Sequence, residues 1–146
     1  MPNECSNSIF IYESKEKLEK LIAFVASDER RFDFNKIIPC PEGCGNEWRS
    51  KNWGTKWNAV DIAVNHYDND KYIGTGFCFI TAREPALLIT KKLSELFPEF
   101  TFVHEFEESN MDFEGYATFK NGEQIDYHTG PSHIRELMDE EEEEEE

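Results

Sequence analysis

The sequence predicts an α+β sandwich in which one antiparallel sheet carries two helices on a single face, with an additional β-hairpin following. Three observations lead there. Short runs of alternating apolar and polar residues, the mark of half-buried strands, recur along the chain. Two stretches with apolar residues at helical spacing stand between them, so the order reads strand, helix, strand, strand, helix, strand. Asn121-Gly122, set between two further alternating runs, is a strong type I′ hairpin signal.

Ser8 to Tyr12 is β-branched and aromatic, which suits a buried first strand. Ser14 then caps a helix over 15–26, whose apolar stripe is Leu18, Leu21, Ile22 and Val25. Ser27-Asp28 ends it. The segment Phe32 to Pro39 reads as extended, because Pro39 and Pro41 discourage helix in the residues before them. The following dozen residues hold Gly43, Gly45 and polar side chains and read as loop.

Val60, Ile62 and Val64 alternate through the second strand, Asp68-Asn69-Asp70 turns the chain, and Lys71 to Thr81 returns as the third. Phe77 and Phe79 occupy one face of that strand; Cys78 and Ile80 make the other face apolar too, so it is expected to be covered on both sides. Gly74 and Gly76 within it read as a bulge. Pro85 opens the second helix, where its missing N–H costs nothing, and Pro98 closes it after a stripe of Ile89, Leu93, Leu96 and Phe97. Phe100, Phe102, His104 and Phe106 share a face of the fourth strand, and a histidine in that company is expected to be a satisfied core residue rather than a ligand. Tyr116 to Lys120 and Glu123 to His128 form the extra hairpin.

Residues 1–130 are thus read as a single domain and 131–146 as a short helix running into an acidic tail. That tail is expected to be solvated and disordered, since like charges repel and nothing apolar is there to bury. The order of elements in the domain is the ferredoxin-like βαββαβ pattern with its additional C-terminal hairpin. The name describes topology, and no cysteine spacing for an iron–sulfur cluster is present.

Composition narrows the function classes. A chain of 146 residues is long enough to bury a sizeable core without staples. Acidic residues number 31 against 15 basic ones, for a net charge of −16; the eight acidic residues Asp139 to Glu146 account for half of it. Such a surface repels phosphate backbones and favours a protein partner with a basic surface over nucleic acid. No apolar stretch approaches a membrane span and the N-terminus has no signal-peptide pattern, so a cytoplasmic protein is expected. In that compartment Cys5, Cys40, Cys44 and Cys78 are expected as free thiols. Cys40-Pro-Glu-Gly-Cys44 resembles half a zinc site, but a second close pair of ligands is missing, so no metal or other cofactor is expected.

The most informative stretch is Trp53-Gly54-Thr55-Lys56-Trp57-Asn58. Two indoles within five residues must be buried or must grip something, and Gly54 permits a backbone conformation that other residues resist. One reading is structural: the tryptophans pin a long loop onto the sheet and Thr55 bonds to backbone. The other is a binding groove, with Trp53 and Trp57 as walls, Lys56 and Asn58 inside, Thr81 and Arg83 at the neighbouring strand end, and Glu105 and Asp112 facing them from the last strand. No catalytic residue is assigned, because no spacing brings a nucleophile and a base together. Basic residues cluster at Arg30-Arg31 and from Arg49 to Lys56, which on one face would permit single-strand binding.

Cys5-Ser6-Asn7, the segment Phe34 to Pro39, the central Asn52 to Ala59 run, Phe79-Ile80-Thr81-Ala82 with Pro85, Phe97-Pro98, and Glu105 through Gly115 together resemble the YubB-type ferredoxin-like domain family. These are proteins of largely unknown function carried on phages, plasmids and other mobile elements. The central Trp-Gly-Thr-Lys-Trp run is the specific part. The chain departs from the family pattern after Thr81-Ala82, where Arg83 and Glu84 replace an expected Trp and a second Pro near the helix start. The resemblance implies a mobile-element origin, and with it the cytoplasm of a bacterial host cell. With the acidic charge, it leads to the expectation of a non-catalytic accessory protein that binds a protein partner, in the manner of a nucleic-acid mimic. Two alternatives stay open: a single-stranded nucleic-acid module using the aromatic sheet face, and a small-molecule-binding protein or enzyme with a Trp-lined pocket around Lys56.

Overall fold

The computed structural model describes residues 4–71, 73–108 and 113–130. Its strands are β1 (Glu4–Ile11), β2 (Val60–Asp68), β3 (Ile73–Ala82), β4 (Thr101–Glu108), β5 (Phe113–Lys120) and β6 (Glu123–Gly130). The helices are α1 (Lys15–Val25), α2 (Phe34–Ile37), α3 (Asn46–Trp53) and α4 (Leu87–Leu96). All six strands join one antiparallel sheet in the order β2-β3-β1-β4-β5-β6. The first four follow the ferredoxin-like topology, and the β5–β6 hairpin extends the sheet beyond β4. The expected short helix and acidic tail from Pro131 onward lie outside the described residues.

Strand alternation sorts the side chains into two faces. Ile9, Ile11, Phe77, Phe79, Phe102, Ala117 and Phe119 point to the helix-covered face and form the core with Leu18, Leu21, Val25, Ile89 and Leu93. Phe32 stacks on Phe79 with ring centroids 5.1 Å apart, and Phe34 meets both Phe79 and Trp53 edge-on. Phenylalanine from a loop and a short helix therefore fills the space between the sheet and α3. Such aromatic pairs add roughly 0.5–1.5 kcal/mol each beyond area burial.

Ser14 caps α1 by accepting the Lys17 N–H, as the sequence predicts. The hairpin turn is also as expected: Lys120 pairs with Glu123, and Asn121 and Gly122 both hold positive φ (52° and 78°). Four expectations need correction. Phe32 to Pro39 is not extended throughout; Asp33 accepts the Asn35 N–H and caps the single turn α2, and only Ile38, ahead of Pro39, returns to extended backbone. The polar stretch after it contains α3, not loop alone.

The third correction concerns Gly74 and Gly76, whose register against β2 and β1 is continuous; the irregularity lies in β2, between Val60 and Ala63. A Cβ on Gly74 would meet the Phe10 ring at 2.5 Å, so the glycine makes room for that ring. Finally, helices cover one face of β3 only. Cys78 and Ile80 lie half-buried on the other face, and Leu96 of the expected α4 stripe is exposed. Polar Thr90 and Ser94 are buried on α4 instead, because each has a partner: Ser94 Oγ accepts the Gly122 N–H at 2.9 Å and docks the extra hairpin.

Candidate functional site

The Trp53–Asn58 segment leaves α3 through Gly54, which sits in the left-handed region (φ 87°) and returns its N–H to Ser50 C=O. Thr55 is buried and its hydroxyl donates to Ala82 C=O at 2.9 Å, pinning the segment to the end of β3. Trp53 is buried as well; its Nε1–H donates to Ile38 C=O at 2.8 Å and its ring meets Phe34 and Trp48 edge-on. Asn58 is committed to structure. Its Oδ1 accepts from the Phe34 and Ala59 N–H groups, and its Nδ2 donates to Asp33. Burial pushes the Asp33 carboxyl up, but hydrogen bonds from Asn58, Ser27 and the Asn35 N–H outweigh it and hold it below the usual range. Three of these six residues, Trp53, Thr55 and Asn58, thus take the structural role.

Lys56 and Trp57 do not. Lys56 is exposed and Trp57 half-buried, and both line an open cleft of about 600 Å³ with Arg30, Asn35, Cys40, Arg49 and Asn58. Arg49 reaches across α3 to hold the Lys56, Cys44 and Asn46 oxygens at 3.3–3.4 Å. Arg30 Nε donates to Ala59 C=O at 2.9 Å. The two basic clusters, far apart in sequence, converge on one cleft. On the other side of Lys56 a second hollow of about 710 Å³ is lined by Ser50, Ala82, Arg83, Glu84, Glu108 and Phe113. Arg83 itself holds a positive φ of 62°.

Thr81 lies beneath this end, fully buried. Its hydroxyl donates to Glu84 C=O at 2.7 Å and accepts from Asn7 Nδ2 at 2.9 Å. Asn7 Nδ2 also donates to Cys5 C=O, while its Oδ1 accepts from the Ala86 N–H and from His104 Nε2 at 2.8 Å. His104 Nδ1 then accepts from Thr90 Oγ1 at 2.7 Å, which assigns the proton to Nε2. This buried chain links β3, β1, β4 and α4. It makes His104 the satisfied core residue that its face predicts; burial holds its imidazole down to about 3. The Cys5 thiol is pushed up to about 12, first by burial and then by the Glu108 charge.

Glu105 is not at the cleft. Strand alternation puts it on the sheet face opposite the helices, with exposed Glu107 and Asp126 and with Glu107's cross-strand partner Glu114, which is buried. Asp112 lies outside the described residues. The cysteine expectation is also corrected: Cys40 and Cys44 are joined in a disulfide, their Cα atoms 6.0 Å apart. A turn closed by Cys44 N–H to Pro41 C=O, with Gly43 at φ 80°, brings them together. Cys5 and Cys78 lie on opposite faces of the sheet, so no four-thiolate set forms from these residues.

Sequence reasoning missed Asn7 as a hub and Arg49 as a staple. The first has its partner 97 residues away, and the second acts on backbone carbonyls that no residue pattern marks. Among the described residues no helix is long and apolar enough to cross a membrane.

A search of the curated proteins returns no match to this chain. Among solved structures, the crystal structure of a protein api92 from Yersinia pseudotuberculosis is similar in fold, with a TM-score of 0.51 and 19% identity. The match covers 66% of this chain and only 38% of that one. The model of the ferredoxin-like domain in Api92-like protein matches residues 52–146, a span that takes in the Trp53–Asn58 segment, β2 to β6 and α4, and the chain belongs to that family.

Proposed function

We propose that this chain is a non-catalytic accessory protein of a phage or other mobile element, acting by binding a protein with a basic surface. The observation that carries the reading is the sheet face opposite the helices. Glu105 and Glu107 of β4 and Asp126 of β6 are exposed there, with Glu114 buried between them on β5, and Lys120 of the same face turns its Nζ to Glu99 C=O. A pleated array of carboxylates at strand spacing presents negative charge over an extended area, as a phosphate backbone does. The mobile-element setting rests on the YubB-type resemblance of the Trp-Gly-Thr-Lys-Trp run.

His104 and Cys5 are buried and held away from neutral pKa values, which makes those two groups unsuited to proton transfer or attack. Phe77, Phe79, Phe102 and Phe119 lie under the helices, while Phe10, Tyr67 and Tyr116 stand on the opposite face beside Glu105 and Glu107, whose charge opposes a phosphate backbone.

The test is capture of a partner from host lysate at low and high salt, using the full chain, a chain ending at Met138, and Glu105→Lys/Asp126→Lys. A basic protein held at low salt, displaced by double-stranded DNA and lost on charge reversal is the expected outcome. Capture indifferent to salt, tail and charge reversal would overturn it.

A further inference from the structure

The cleft beside α3 runs against the charge of the whole molecule. In a chain of net charge −16, its lining includes Arg30, Arg49 and Lys56 and no carboxylate. Arg30 is partly balanced, by exposed Glu29 at 3.6 Å and by the charge of Asp33 behind Asn58. The other two are not. Among the described residues Arg49 donates only to neutral oxygens, those of Cys44, Asn46 and Lys56, and Lys56 makes no ion pair. These bonds fix the Arg49 guanidinium without neutralising it, which leaves a positioned positive charge at the cleft wall. At physiological ionic strength charges are screened over about 8 Å, so charges at the cleft itself weigh most on what enters it.

Beside them stands Trp57. Unlike Trp53, which is buried with its Nε1–H on Ile38, Trp57 is half-buried and makes no hydrogen bond among the described residues. A volume of about 600 Å³ suits a small ligand rather than a folded partner. The cations call for more than one negative charge, which a phosphate monoester carries at neutral pH, and the indole calls for a flat ring to stack on it.

We propose that this cleft is a binding site for an aromatic phosphate of nucleotide type, its ring against Trp57 and its phosphate between Arg49 and Lys56, with Arg30 at the far wall. The site is separate from the acidic sheet face, and neither reading depends on the other.

The probes are adenosine monophosphate, adenosine, inorganic phosphate and a short single-stranded oligonucleotide. Each is titrated into the full chain and followed by tryptophan fluorescence and calorimetry. The expected result is saturable binding of the monophosphate, with adenosine and phosphate each at least about tenfold weaker, as loss of one stacking or charge-assisted contact implies. Lys56→Glu and Trp57→Leu alter an exposed and a half-buried side chain, and each is expected to weaken the monophosphate about tenfold or more while leaving the circular dichroism unchanged. If either variant unfolds, Lys56→Met and Trp57→Phe replace it, the second retaining binding through its ring. Monophosphate binding that is absent, or unchanged in the Lys56 variants, would overturn the proposal. So would an oligonucleotide that binds where the monophosphate does not, which would make the cleft part of a strand-binding track instead.

Discussion

His104 shows how one residue can be read correctly in kind and incompletely in mechanism. Its position on the apolar face of β4 predicts a core histidine, and the structure buries it fully between Asn7 and Thr90. The unfolded chain protonates an imidazole near 6.5, whereas burial holds this one down to about 3. Between those values the unfolded state binds a proton that the native state refuses. The stabilisation is therefore complete above pH 6.5 and is lost as pH falls toward 3, at roughly 1.4 kcal/mol per pH unit. Urea unfolding at pH 6.5 and pH 5 is expected to show this slope, and His104→Gln to remove most of it. A His104 imidazole whose assigned NMR shifts titrate near 6.5 in the folded protein would contradict it. The neighbours of His104 were not legible in the sequence, since Asn7 reaches it only after the chain has closed three strands. A polar side chain buried by long-range partners leaves no local pattern to read.

At the scale of elements, legibility tracked periodicity. α1 and α4 each bury an apolar side and were predicted within a residue or two of their ends. α3 has no such stripe: Trp53 is its one buried residue, the flanking Gly43 and Gly45 read as loop, and its anchors are Arg49 and the aromatic contacts of Trp48 and Trp53. What the sequence did mark was the end of that helix. Gly54 turns the chain at φ 87°, and a Cβ there would stand 3.3 Å from Pro85 C=O. Gly54→Ala combines left-handed strain with that crowding and is expected to cost about 1–2 kcal/mol, measured by denaturant unfolding. Because the Trp57 loop hangs from this turn, the same variant is expected to perturb the cleft. A fully stable Gly54→Ala chain would mean that the turn relaxes and that Thr55 alone fixes the loop.

At the scale of the whole molecule, two surfaces differ in sign: Arg30, Arg49 and Lys56 line the α3 cleft, while Glu105, Glu107 and Asp126 are exposed on the sheet face opposite the helices. The imbalance was legible in the composition; its division between two surfaces was not, because strand register decides which residues face each other. Exposed Glu107 and buried Glu114 are direct cross-strand partners, and like charges directly opposite one another destabilise a sheet by roughly 0.2–1 kcal/mol. Glu107→Gln is therefore expected to stabilise the protein by that order at low salt, with the gain shrinking as salt screens the pair. The measurement is denaturant unfolding of both forms across a salt series, alongside capture of the basic partner. More stability with less capture would mean that the sheet tolerates repulsion for the sake of the surface it presents. Glu107→Gln with unchanged stability at low salt would show that the face carries no such tension, and the acidic-surface reading would lose its energetic support.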